Sequence, residues 1–236
     1  MSSLESVNKA PDNAVKVLGN QGWVAMIRHS GEEIDIVNAA RVSFGKMRTE
    51  MNDKDEHLLQ FLIREKHFAP LEHITFSFLV HCPLFVRGQW HRHRTQSYNE
   101  ISRRYTEVDL EIYQPEEFRK QSESNKQASK DDVLLEGKDR ADAVDVMFNA
   151  ANVAIAAYEK LLELGVCREQ ARGILPQNMM TTFYATMNLR NLLHFLSLRM
   201  AEHAQWEIRQ YANAMHDMLV PLYPNVMKAF DEGLIK

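Results

Sequence analysis

The sequence predicts a fold in which strands and long helices are mixed along one chain. Three observations predict it. His73 to Val80 is rich in β-branched and aromatic residues (Ile74, Thr75, Phe76, Phe78, Val80), as a buried strand is. Ala141 to Leu164 is a long helical pattern ended by Gly165. Gln177 to Asn188 reads as a strand through Thr181, Thr182, Phe183 and Tyr184, and runs straight into a helical stripe of Leu189, Leu192, Leu193, Leu196 and Met200.

The remaining elements follow in order. Gly22 to Ile36 has apolar residues broken by Gly31, Glu32 and Glu33, which predicts two short strands joined by a turn. Asp55 to Lys66 places Leu58, Leu59, Phe61, Leu62 and Ile63 at helical spacing, behind a polar opening of Asn52, Asp53 and Asp55 suited to a helix start. Pro83 suits the first turn of a helix after the His73 strand. Thr106 to Tyr113 alternates Val108, Leu110 and Tyr113 against acids and predicts a further strand. Arg119 to Lys138 is dominated by Lys, Ser, Gln, Asn and Asp, too little apolar surface to offset the entropy of ordering, and predicts a mobile surface insertion. In the last stripe Phe195 and Leu198 lie off the apolar face, which predicts that the helix also packs against another subunit.

A chain of 236 residues can bury a substantial core without disulfides. Its composition, 45% hydrophobic and 25% charged, is that of a globular protein. A net charge of −4 gives the whole molecule no reason to seek nucleic acid or an acidic membrane. The longest apolar stretch, Ile74 to Val86, contains His81 and falls short of the roughly 20 residues a membrane helix needs. Met1 to Asn13 is polar, without the apolar core of a signal peptide. The two cysteines, Cys82 and Cys167, are far apart, and a reducing, cytoplasmic setting fits them.

Gln89 to Tyr105 carries the chemistry. It holds four arginines (Arg92, Arg94, Arg103, Arg104), His91, His93, Ser97, Ser102, Gln89, Gln96, Asn99 and Glu100, with Ile101 its only aliphatic residue. Arginine's rigid fork of donors matches phosphate oxygens, so this density in an acidic protein points to a small anionic ligand such as a nucleotide or dinucleotide. There is no Gly-x-Gly-x-x-Gly and no phosphate-binding glycine loop, so side chains must hold the phosphates. A second polar cluster, Asn188, Arg190, His194, Arg199 and His203, sits on an apolar helix, where partly buried cations call for an anion.

Other readings of these residues stand beside that one. The Arg92 to Arg104 tract is also what a solvated surface loop contains, or a basic patch for RNA with Tyr98 and Tyr105 as stacking residues. Cys167, near the start of an Arg168 to Gly173 helix, is a candidate nucleophile, whereas Cys82 reads as core. His67, His73, His81, His91 and His93 raise a metal site. His91 and His93, read as helical, point to different sides, and no nearby Cys or Asp completes a set, so no metal is expected. Ser102 lacks a histidine and acid partner and reads as a phosphate donor rather than a nucleophile.

Arg92-His93-Arg94, seven residues, then Ser102 reproduces the Arg-His-Arg-x7-Ser signature of the flavin-dependent thymidylate synthases, which the whole Gln89 to Tyr105 stretch resembles. The similarity continues in His67 to His73, in Ala171-Arg172-Gly173-Ile174-Leu175-Pro176, and in Asn188 through Glu207. It implies an α+β fold with a mixed or antiparallel sheet flanked by long helices, one domain over residues 1–236, and a homotetramer with shared active sites. It also implies methylation of dUMP to dTMP, with FAD as cofactor and NADPH and methylenetetrahydrofolate as co-substrates. By position, His67, Arg92, His93, Arg94, Glu100, Asn188, Arg190 and His194 resemble the family's flavin contacts. Gln89, Trp90, His91, Arg92, Glu100, Ile101, Ser102, Arg103, Arg104 and Arg172 resemble its dUMP contacts. Arg199 matches the arginine that polarises the uracil ring. The chain has Phe68-Ala69 where relatives often carry a small hydroxyl residue, and His194 where some carry Asn.

Overall fold

The computed structural model describes residues 6–106, 110–122 and 129–235. Its first strands are β1 (Val15–Val17) and β2 (Gly22–Ser30), joined by a turn in which Leu18, Gly19 and Asn20 all have positive φ. Gly31, at φ 78°, ends β2, and the chain enters helix α1 (Glu33–Arg41) instead of the second short strand predicted for Gly22 to Ile36. The cause is local. The Glu32 side chain accepts from the backbone three residues on, while Asp35 reaches back to the Glu32 N–H at 2.8 Å, a capping box that favours a helix start. Ile36 and Val37 then turn into the core.

Helix α2 (Asp53–Arg64) forms where predicted, with the Asn52 side chain capping the Lys54 and Asp55 N–H groups. Strand β3 (Thr75–Pro83) and helix α3 (Leu84–Trp90) follow, with Pro83 as the N-cap residue. The helix stops at Trp90, so His91 to His93 form a turn rather than the helix predicted there, and the chain extends into β4 (Ser97–Glu100). Of the strand predicted over Thr106 to Tyr113, residues 107–109 lie outside the described residues, and Ile112 makes a single bridge to Met179.

The tract predicted to be a mobile insertion holds β5 (Arg119–Gln121) and β6 (Ser129–Leu134), paired antiparallel as a separate two-stranded sheet; residues 123–128 lie outside the described residues. Helix α4 (Gly137–Glu163) runs 27 residues and ends before Gly165 at φ 84°. The short helix α5 (Arg168–Ala171) and a 3-10 turn at Arg172–Ile174 lead to β7 (Met180–Asn188), α6 (Leu189–Arg199), α7 (Trp206–Leu219) and α8 (Pro224–Asp231).

The main sheet has the order β1-β2-β3-β7-β4 and every neighbouring pair is antiparallel. The α+β class is thus realised with an antiparallel rather than a mixed sheet. Strands β3 and β7 pair along their whole length, from Thr75↔Asn188 to Pro83↔Met180. The short strand β4 borders β7, with Ser97 opposite Thr186 and Glu100 opposite Phe183. The chemistry-bearing tract therefore lies on a sheet edge, anchored to the most buried strand pair.

Trp90 is the keystone beneath that edge. It is fully buried, with ring centroids 4.7 Å from Phe195, 5.5 Å from Phe183 and 6.0 Å from Tyr211, and its indole N–H donates to Gln96 Oε1 at 3.2 Å. An aromatic side chain buried this way contributes roughly 2–3 kcal/mol from removal of apolar surface. Phe195, predicted to face another subunit, is covered by its own chain because Trp90 fills the space beside it. Leu198 is 44% exposed.

Candidate active site

Two clefts sit near the ends of β4. The first, of about 540 Å³, is lined by Arg87, Glu100, Ile101, Ser102, Arg103, Glu169, Arg172 and Thr181 among others. It gathers five residues of the expected substrate set: Glu100, Ile101, Ser102, Arg103 and Arg172. The backbone explains the convergence. Antiparallel pairing sets Glu100 opposite Phe183, the Ile101 N–H donates to the Thr182 carbonyl at 2.9 Å, and the 3-10 turn after α5 brings Arg172 across. Glu100 Oε1 accepts from the Thr181 hydroxyl at 2.7 Å and lies 3.2 Å from Arg87 Nε. Arg103 is buried, 6% exposed, whereas Arg104 is exposed and pairs with Glu169 at 3.2 Å. The Ser102 hydroxyl accepts from the Arg104 N–H at 3.3 Å.

The second cleft, of about 490 Å³, is lined by Phe68, Leu71, Glu72, Thr95, Arg190, Asn191, Leu193, His194 and Ile235. It contains Arg190 and His194 of the expected flavin set. The Arg190 guanidinium lies 5.9 Å from the Phe68 ring, and His67 is the exposed residue just before Phe68. Asn188 caps α6, accepting from the Asn191 N–H at 2.9 Å, so one of its functions is to start the helix that carries Arg190 and His194. Arg190 is exposed and ion-paired with Glu72, so the burial predicted from the apolar helix does not apply to it.

Between the clefts lies a polar knot built on α6 and the turn after α3. Arg199 Nε donates to His93 Nε2 at 3.0 Å, and an Arg199 terminal nitrogen donates to the Gln89 carbonyl at 3.3 Å. Burial, with the Arg199 charge and the neighbouring His194 adding to it, lowers the His93 pKa to about 4. His93 is therefore neutral near pH 7, with its proton on Nδ1 and Nε2 free to accept. Burial also lowers the Arg199 pKa from the usual arginine value. The Gln89 side chain meets Gln205, which donates to Glu207 at 2.8 Å, and Glu207 holds Arg119. Arg92 and Arg94 are exposed on the same turn.

The expected substrate residues are thus divided. Glu100 to Arg103 and Arg172 line the first cleft, while Gln89 and Arg199 belong to the knot and line neither. Trp90, expected among the substrate contacts, is instead a core residue whose side chain offers no surface to a ligand. His91 is half-buried, packed on Tyr98 at 4.1 Å and on Phe183 at 5.2 Å, so it supports the turn. Arg87, Glu169 and Thr181 line the first cleft, and Glu72, Thr95 and Asn191 the second, although the sequence does not mark them out. Arg87 could have been found by its place two residues before Gln89; Thr181, read as strand, offers no such signal.

Cys82 is fully buried, and burial pushes its thiol pKa well above the usual value; Cys167 is exposed; neither lines a cleft. His81, one of the metal candidates, is buried and bound to Thr182 at 2.8 Å and Glu111 at 3.3 Å. Among the described residues no three His, Cys, Asp or Glu side chains are grouped to hold a metal, and no helix is long and apolar enough to cross a membrane.

An antiparallel sheet whose edge strand joins two clefts, lined by arginine, carboxylate and amide side chains rather than by a glycine loop, defines a class of α+β protein with a side-chain-built polar site. Residues 25–225 match the family model described as thymidylate synthase complementing protein. The flavin-dependent thymidylate synthase of Thermus thermophilus is 44% identical over 217 residues, covering 92% of this chain and 78% of that protein. That of Thermosipho melanesiensis is 45% identical over 197 residues, covering 84% of each. Among solved structures, a UMP/dUMP methylase, PolB, from Streptomyces cacaoi bound with 5-Br dUMP superposes with a TM-score of 0.80 at 32% identity, over 90% of this chain and 95% of that one. The chain belongs to the family of flavin-dependent thymidylate synthases.

Proposed function

We propose that this protein methylates dUMP to dTMP, taking the carbon from methylenetetrahydrofolate and its reducing equivalents from NADPH through FAD, in the cytoplasm. The observation that carries the reading is the first cleft, where Glu100, Ser102, Arg103 and Arg172 converge beside β7 in a chain 32% identical to a methylase that binds 5-Br dUMP. In it Ser102, Arg103 and Arg172, with Arg104 at its rim, hold the nucleotide phosphate, and Glu100 accepts a hydrogen bond from the nucleotide.

FAD is assigned to the second cleft and the turn beside it. The donors there suit an anionic, aromatic cofactor: Arg190, His194 and His67 around an apolar floor of Leu71 and Leu193, with Arg92, His93 and Arg94 near by. Phe68 supplies a ring where a hydroxyl is usual, giving packing in place of a hydrogen bond. When bound and reduced, the flavin supplies the hydride that completes the methyl group.

Arg199 is the residue we assign to the chemical step. A guanidinium fixed by His93 and the Gln89 carbonyl is oriented in advance, and it stabilises negative charge developing on a uracil ring placed against it. Neutral His93 accepts from Arg199 without adding a competing positive charge. Activation by Arg199 leaves no step that needs an enzyme thiol, in keeping with the burial of Cys82.

The active sites are shared between subunits of a homotetramer. Thr181 lines the first cleft and Asn188 introduces the second; they stand seven positions apart on strand β7, about 23 Å at the usual rise. Membership of the family supports a site built from residues of more than one chain. Cofactor-stripped protein mixed with FAD tests the assignment: FAD-dependent turnover by an assembled tetramer supports it, and an active monomer removes the shared-site reading.

A further inference from the structure

We infer that Arg87 and Thr181 are positioning residues that fix the Glu100 carboxylate for nucleotide binding. The inference rests on the reading of the first cleft as the nucleotide site. Both side chains meet the same oxygen: the Thr181 hydroxyl donates to Glu100 Oε1 at 2.7 Å, and Arg87 Nε stands 3.2 Å from it as an ion pair. Glu100 Oε2 has no partner among the described residues, so one oxygen of the carboxylate is tied and the other remains an acceptor in the cleft.

The three residues come from three elements. Glu100 ends the edge strand β4, Arg87 is on α3, and Thr181 is the second residue of β7. A carboxylate at the end of a four-residue edge strand has little of its own to hold its rotamer, and a glutamate in arginine-rich surroundings can swing to whichever cation is nearest. Anchoring Oε1 to the sheet through Thr181 and to the helix through Arg87 removes that freedom before the ligand arrives, so the ordering cost is not taken from binding. Thr181 is 2% exposed at the wall of the cleft and its hydroxyl proton is committed to Glu100, so it acts through that carboxylate.

The test is the dissociation constant of dUMP, measured calorimetrically on the holoenzyme, with kcat and KM for the same variants. Thr181→Val weakens dUMP binding about tenfold, the factor equivalent to about 1.4 kcal/mol, a typical worth for a hydrogen bond to a charged group; Arg87→Gln, which removes an ion pair rather than a hydrogen bond, weakens it about threefold. Thr181→Ser restores it. In a Glu100→Ala background neither substitution weakens binding further, because the group they position is gone. A persistent loss in that background means that Arg87 or Thr181 acts directly or through folding and overturns the inference. So does unchanged binding in both single variants when Glu100→Ala alone weakens it. Unchanged binding in Glu100→Ala overturns the reading of the cleft together with the inference. Should Thr181→Val fail to fold, the Arg87→Gln and Thr181→Ser arms decide the question.

Discussion

Arg199 Nε donates to His93 Nε2 across 3.0 Å, joining the C-terminal end of α6 to the turn that follows α3. An imidazole can accept that bond only when Nε2 carries no proton, so the contact and the lowered His93 pKa describe one state of the site. His93 belongs to the Arg-His-Arg signature, and the bond gives that histidine a task apart from any ligand: orienting the guanidinium.

The first prediction concerns pH. His93 has a pKa lowered from 6.5 to about 4, so the unfolded chain takes up this proton before the folded one does. The contribution of His93 to stability is complete above pH 6.5 and declines as pH falls from there toward about 4. Nuclear magnetic resonance titration of the histidine rings is expected to show His93 still neutral at about pH 5, above the lowered value. A midpoint near 6.5 would mean that His93 is not held neutral by its burial against Arg199.

His216 has the opposite sign. Burial opposes its proton, but hydrogen bonds to Asp217 and Asp231 and their charges outweigh burial and raise its pKa. Its contribution is complete below the unfolded value of about 6.5 and fades as pH rises through the folded value. Asp231→Asn is therefore expected to lower the melting temperature at about pH 6 more than at about pH 9; an equal loss at both would remove the ion pair between α7 and α8.

Arg199→Lys is expected to keep flavin binding and lose turnover by about 100-fold or more, the range for removing one preorganised donor at a developing charge. A lysine is a point charge that cannot meet His93 and the Gln89 carbonyl as a fork does. The comparison of kcat with bound flavin absorbance checks it, and unchanged kcat takes Arg199 out of the chemistry.

Ser102→Ala is expected to weaken dUMP binding while turnover persists at saturating nucleotide, since the serine lies in the first cleft and is assigned by the proposal to the nucleotide phosphate. Loss of all turnover with binding intact is the outcome that contradicts this role.

Trp90→Ala is expected to destabilise the fold by about 3–5 kcal/mol, from lost burial and the cavity left against Phe183, Phe195 and Tyr211. Thermal or denaturant unfolding measures it. A loss below about 1 kcal/mol would mean that the indole is not the core residue described.

Much of this is legible from residue patterns. The apolar strands β3 and β7 and the capped helix α2 declare themselves because burial on both faces, or on one stripe, leaves a periodic mark. Glu32 to Ile36 misleads because Ile34 and Ile36 alternate as in a strand while the capping box, a two-residue effect, decides for helix. The helix pattern also overreaches into His91 to His93, which form a turn once α3 stops at Trp90. The site residues are marked by their chemistry, yet Trp90 shares the motif without sharing the surface, and only packing separates the two. Arg87 and Thr181 carry no mark, since their significance is the Glu100 oxygen they both meet, a coincidence of three elements that no spacing encodes.

The methylation of dUMP is tested directly by dTMP formation from dUMP, methylenetetrahydrofolate and NADPH on protein stripped of cofactor, with and without added FAD. dTMP is expected only when FAD is returned, and in unchanged amount when both Cys82 and Cys167 are replaced by alanine. Turnover without flavin, or turnover lost with the cysteines in a protein that still folds, would overturn flavin-dependent, thiol-independent methylation.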